Sequence, residues 1–97
     1  MSKGYWVTHY RRTNDASALA AYAQLALPAI TAAGGKFLVR GPAEEVREQG
    51  LKERTVVIEF PTYEQAVAAY ESEAYKKALA ALGNAAERDL RIVRGTD

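Results

Sequence analysis

Residues 54–79, RTVVIEFPTYEQAVAAYESEAYKKAL, constrain the fold more than any other stretch. Val56, Val57, Ile58 and Phe60 are β-branched or aromatic and suit a pleated, largely covered strand. Pro61 cannot donate to a sheet ladder and ends the strand. Thr62 and Gln65 form a capping box ahead of an apolar periodic run, so a helix starts at once. Strand, corner and helix in 26 residues form half of a β-α-β unit.

The first half of the chain repeats the plan. Residues 4–12 hold Tyr5, Trp6, Val7, Thr8 and Tyr10, all strand formers. They lack a clean polar/apolar alternation, which implies two covered faces or one bordering a cavity or partner. Asn14 or Asp15 caps a helix over 16–33, with Leu19, Tyr22, Ala23, Ala26, Ile30 and Ala33 at helical spacing. Pro28 removes a backbone donor inside it and predicts a kink or a split. Gly34-Gly35 stops the helix. A second strand follows over 36–41, then a polar connection over 42–52 with room for a strand extension around Val46. After the strand at 54–60, the helix runs to about Glu71. Ser72 restarts it through Leu82, and Gly83-Asn84 closes it. Residues 87–94 form the last strand.

The order is β-α-β-β-α-β. Ala18-Leu-Ala-Ala-Tyr22 and Ala66-Val-Ala-Ala-Tyr70 lie 48 residues apart, an internal echo of two split β-α-β halves. Right-handed crossovers then give an α+β, ferredoxin-like domain over residues 1–97, with antiparallel strand order 4-1-3-2 and the helices on one face. The other face is left bare. Pairing two such sheets in a two-fold homodimer covers it.

Composition narrows the function classes. Thirteen Lys and Arg against 12 Asp and Glu give a net charge of +1, with no electrostatic case for nucleic acid or an anionic membrane. The strands match no RNA-recognition pattern, since RTVVIEF lacks the required glycine and aromatic positions and carries Glu59. The uncharged stretch 16–35 is mostly alanine with Ser17, Gln24, Pro28 and Thr31, and reads as a buried helix rather than a membrane span. The N-terminus has no apolar signal core, and the absence of cysteine excludes a disulfide scaffold; a reducing, cytoplasmic setting is the expectation.

With these elements placed, the chain resembles the domain-of-unknown-function 1330 family of the dimeric α/β-barrel group. The resemblance rests on Gly4-Tyr5-Trp6, Tyr22, Pro28, Gly34-Gly35 with Phe37-Leu-Val-Arg-Gly41, Val57-Ile58-Glu59-Phe60-Pro61, Tyr70 and Ser72-Glu-Ala-Tyr75. It implies a ferredoxin-like protomer and a homodimer whose sheets form a barrel. It implies no reaction. Related barrel families include cofactor-free oxygenases, heme-degrading enzymes and chlorite-dismutase-like proteins.

No motif specifies chemistry. Ser2, Ser17 and Ser72 lie in no nucleophile-elbow context, and the glycines form no phosphate loop. One histidine and no cysteine argue against a metal site, and no cofactor is expected. His9 reads as a hydrogen-bonded residue on a sheet face, as a proton-transfer group, or as a metal or heme ligand. Glu59 is the second proton-transfer candidate, and Lys36 or Arg40 on the adjacent strand is its expected partner. Trp6, Tyr22, Arg40, Tyr75 and Arg88 are the ligand-binding candidates, a polar set for a mostly apolar pocket; Tyr70 is grouped with them as a helix tyrosine of the core. Three functions stay open: a small-molecule binder with a pocket between sheet and helices, a small cofactor-independent oxygenase or isomerase, and a structural dimer whose polar residues are all interface.

Overall fold

The computed structural model describes residues 2–96. Seven elements follow in order: β1 Gly4–Thr13, α1 Ala16–Ala32, β2 Lys36–Pro42, β3 Arg54–Phe60, α2 Tyr63–Glu71, α3 Glu73–Leu82 and β4 Ala86–Arg94. The strands form one antiparallel sheet in the order β2-β3-β1-β4, the ferredoxin-like arrangement expected.

The caps explain the helix boundaries. Asp15 accepts a hydrogen bond from the Ala18 N–H at 3.1 Å and opens α1. Gly34, with φ of 96°, turns the chain out of it, and Gly35 N–H returns to the Ile30 carbonyl at 2.9 Å. Thr62 accepts from the Gln65 N–H at 3.1 Å and opens α2. Ser72 donates to the Ala69 carbonyl at 2.8 Å and accepts from the Tyr75 N–H at 3.2 Å, so it ends α2 and starts α3.

The structure departs from two local expectations, the split at Pro28 and the strand extension at Val46. Pro28 does not split α1, which runs on as one helix to Ala32. Pro28 and Gln24 are both exposed, so the carbonyl that Pro28 cannot serve is left to water. The connection over 43–53 has turns and bends but no strand extension at Val46.

The sheet is two-faced. On β1, residues 4, 6, 8 and 10 are buried, while Tyr5 and Val7 are half-buried and His9 is exposed. The buried side meets all three helices in one core that includes Trp6, Ile58, Phe60, Ile30, Ala66 and Tyr75. Trp6 donates to the Ala66 carbonyl at 2.8 Å, and its ring lies 4.9 Å from Tyr75 and 5.3 Å from Phe60. Burial of each such side chain contributes about 1.5–3 kcal/mol. The helix layer sits close: a Cβ on Gly4 would lie 2.6 Å from the Tyr63 Cα, so only glycine fits there.

Candidate functional site

Strand register decides which side chains meet. On the helix side, Trp6 pairs with Ile58 and Ile58 with Phe37; one step along, Thr8 pairs with Val56 and Val56 with Arg40. Phe37 and Arg40, three residues apart, share this face because β2 bulges between Phe37 and Val39. Without the bulge, strict alternation would send Arg40 to the opposite face. The Arg40 guanidinium instead lies 5.0 Å from the Phe37 ring centre. Tyr10 pairs with Arg88 at the next step.

Helix α1 crosses this face and leaves a cavity of about 50 Å³ beneath it. Trp6, Tyr22, Arg40 and Arg88, four of the five expected ligand-binding residues, line it. The fifth, Tyr75, stands directly behind: its hydroxyl is 2.7 Å from that of Tyr22. Arg88 donates to the Tyr22 hydroxyl at 3.1 Å and, more weakly, to that of Tyr75 at 3.5 Å. Tyr75 is buried and Tyr22 reaches the cavity, so the arrangement that leaves no proton stranded has Tyr75 donating to Tyr22. The Tyr22 O–H is then free to point into the cavity. Burial pushes the Tyr75 phenol far above its ordinary value; Tyr22 adds to the shift and the Arg88 charge opposes it. Burial works against the Arg88 charge, but the Tyr22 and Tyr75 oxygens outweigh it and hold the guanidinium above its ordinary value. Tyr75 is therefore a neutral hydroxyl and Arg88 a cation at neutral pH.

The proton-transfer candidates lie elsewhere. His9 pairs with Thr55 and Asp89, and Glu59 with Tyr5 and Lys36, all on the face away from the helices. The Glu59 carboxylate accepts from the Tyr5 hydroxyl at 3.2 Å and lies 3.7 Å from the Lys3 ammonium. Lys36 is its neighbour across the ladder without an ion pair to it, and Arg40 is on the other side of the sheet, so Lys3 takes the place of the partner expected on β2. His9 borders a second recess with Arg11, Glu53, Thr55 and Asp89, beside Leu51 of the connection. That recess is larger, about 330 Å³, but its walls are mostly exposed or half-buried polar side chains, so an occupant stays hydrated there. The cavity under α1 is the better binding site because it can desolvate what enters. Among the described residues, no three His, Cys, Asp or Glu side chains are placed to share a metal ion.

Among the polar lining residues, sequence reasoning missed Thr8, Tyr10 and Arg54. Arg54 stands in phase with Val56, Ile58 and Phe60, and that period of two was the available signal. Thr8 carried none, since a threonine in a strand is ordinary.

Solved structures place the fold among known ones. A protein of unknown function from Rhodopseudomonas palustris superposes with a TM-score of 0.77 at 16% identity, over 99% of this chain and 84% of that one. The cofactor-independent oxygenase SnoaB from Streptomyces nogalater gives 0.67 at 10% identity, over 100% and 96%. A dimeric ferredoxin-like protein of unknown function from Thermobifida fusca gives 0.58 at 13% identity, over 97% and 92%. At these identities the likeness is one of fold alone. No curated protein matches the chain. The sequence blocks that carry the family resemblance supply Trp6, Tyr22, Phe37, Arg40 and Ile58 to the cavity wall. Residues 3–96 match the family model described as Domain of unknown function (DUF1330), and the chain belongs to that family.

Proposed function

We propose that this protein binds a small organic molecule in the cavity between α1 and the sheet. One observation carries the reading: the Arg88–Tyr22–Tyr75 cluster converges on an otherwise largely apolar recess that no side chain fills. A purely structural role accounts for the hydrogen bonds among these groups but not for the open recess beside them. The enzyme reading is weaker. SnoaB shares the fold, but the acid–base candidates His9 and Glu59 lie across the sheet from the cavity, and among the described residues its lining holds no carboxylate or imidazole.

The second sheet face supports a homodimer. Val39, Val57 and Val7 form a row across it, flanked by the Lys36–Glu59–Tyr5–Val93 row. Val39 and Val93 are 47% and 42% exposed in the single chain. A second copy of this face offers apolar surface and both signs of charge, which suits a self-complementary two-fold contact. The Thermobifida fusca protein is itself described as dimeric.

Native mass spectrometry of the purified chain tests both parts. A dimer carrying a non-covalent organic adduct is expected. Ala26→Leu, which fills the cavity wall, should lose the adduct and keep the dimer. A monomer at micromolar concentration overturns the dimer, and an adduct that survives Ala26→Leu overturns the location.

A further inference from the structure

We infer that the ligand of this cavity is a small carboxylate with a short apolar body; the inference rests on the binding reading above. Three arginines, Arg40, Arg54 and Arg88, line the cavity, and among the described residues no aspartate or glutamate does. Among the described residues none of the three is in an ion pair with a carboxylate; the six ion pairs use Lys3, Arg11, Arg12, Arg47, Arg91 and Arg94. Three like charges around one partly desolvated recess repel each other, and a bound anion relieves that repulsion.

The charges sit at one end. Arg88 pairs with Tyr10, and Arg54 precedes Thr55 at the matching end of β3. Arg40 is one step inward, opposite Val56. A further step of about 7 Å along the strands reaches Trp6, Ile58 and Phe37, the apolar end. Between the two ends lies Thr8, 3% exposed, whose side chain takes no hydrogen-bond partner among the described residues. A hydroxyl without a protein partner on the wall of a cavity is open to a polar atom of an occupant. The Tyr22 proton is a second such group.

This polarity selects the ligand. Arg88 already donates to two phenols, which leaves its remaining N–H groups for one planar acceptor. A carboxylate fits that geometry, and its apolar substituent fits the Trp6 end. Inorganic phosphate uses only the charged end. A volume of about 50 Å³ holds roughly four water-sized positions, so the enclosed body is short and the rest of the ligand lies in the mouth.

Isothermal titration of the full chain at low salt tests this with four probes: sodium benzoate, sodium hexanoate, benzamide and inorganic phosphate. At least one carboxylate should bind at least about tenfold tighter than benzamide and phosphate, since a charge-assisted contact is worth about one decade or more. Arg40→Met and Arg54→Met should each weaken that carboxylate about tenfold and leave benzamide unchanged, with no loss of melting temperature. Equal binding of carboxylate and benzamide overturns the charge assignment and leaves the pocket standing. Phosphate binding as tight as the carboxylate overturns the apolar half. Loss of benzamide binding in the arginine variants means a structural effect and also overturns the assignment. No binding of any probe up to about 10 mM overturns this inference, while the adduct experiment above decides the pocket separately.

Discussion

The Tyr22–Tyr75 pair permits a double-mutant cycle whose outcome runs against the burial ranking. Tyr75 is 1% exposed and Tyr22 is 8%, so burial alone ranks Tyr75→Phe as the more damaging change. The hydrogen bonds argue otherwise. Tyr75→Phe leaves the Tyr22 hydroxyl with its 3.1 Å bond from Arg88 and access to the cavity. One neutral bond is lost, worth about 1 kcal/mol. Tyr22→Phe leaves the Tyr75 hydroxyl buried with only the 3.5 Å contact from Arg88 and no acceptor for its proton. Stranding that group costs about 2–3 kcal/mol. The double variant strands nothing, because Arg88 is only half-buried and can turn to water. Its cost should be about 2 kcal/mol, which puts the coupling at roughly 1–2 kcal/mol. Urea titration followed by Trp6 fluorescence measures this, since Trp6 is the sole tryptophan and lies 4.9 Å from the Tyr75 ring. Protein concentration must be held constant, because any dimer adds to apparent stability. Additive single costs, or Tyr75→Phe costing more than Tyr22→Phe, would refute the assigned proton direction.

Three further outcomes follow from particular contacts. Gly4→Ala should destabilise the protein by about 1–3 kcal/mol in thermal unfolding, because the new Cβ meets backbone of Thr62 and Tyr63 that cannot swing away; a neutral result means that α2 can lift off β1. Ser72→Ala should cost about 1 kcal/mol by losing the cap of α3, and Ser72→Asn should restore most of it, as circular dichroism melting would report. Asp89 is held below its ordinary carboxyl value, chiefly by hydrogen bonding from Arg91, with Arg91, Arg11 and His9 attracting it further. A lowered value stabilises the fold above the unfolded carboxyl range of about pH 4, and that contribution fades as pH falls through the lowered value. Asp89→Asn should therefore flatten the urea midpoint against pH below about 4, by a small amount because solvent screens the contact with the exposed Arg91; an unchanged slope refutes the Arg91 contact.

Local chemistry is written in the chain, and it was enough for the elements. Caps at Asp15, Thr62 and Ser72, stops at Gly34 and Gly83, and the β-branched run before Pro61 act within a few residues, so reading them in order yields the strand order as well. Five ligand-binding candidates were named from residue type and element alone, and four of them line the cavity. What the sequence could not decide was the side on which each group falls. The β2 bulge reverses the phase of Arg40 relative to Phe37, and nothing in KFLVRG marks it. Pro28 was expected to kink or split α1 because its local cost is visible in the sequence, whereas the exposure that lets α1 run on unsplit is a tertiary fact. His9 and Glu59 carry the chemistry a site would want, yet the sheet stands between them and the three arginines. The sequence by itself determines which groups this protein has and the elements that carry them, because caps, turns and periodicity act at short range. Only the tertiary structure decides which groups share a space, because that depends on register, and a shift of one residue sends a side chain to the opposite face.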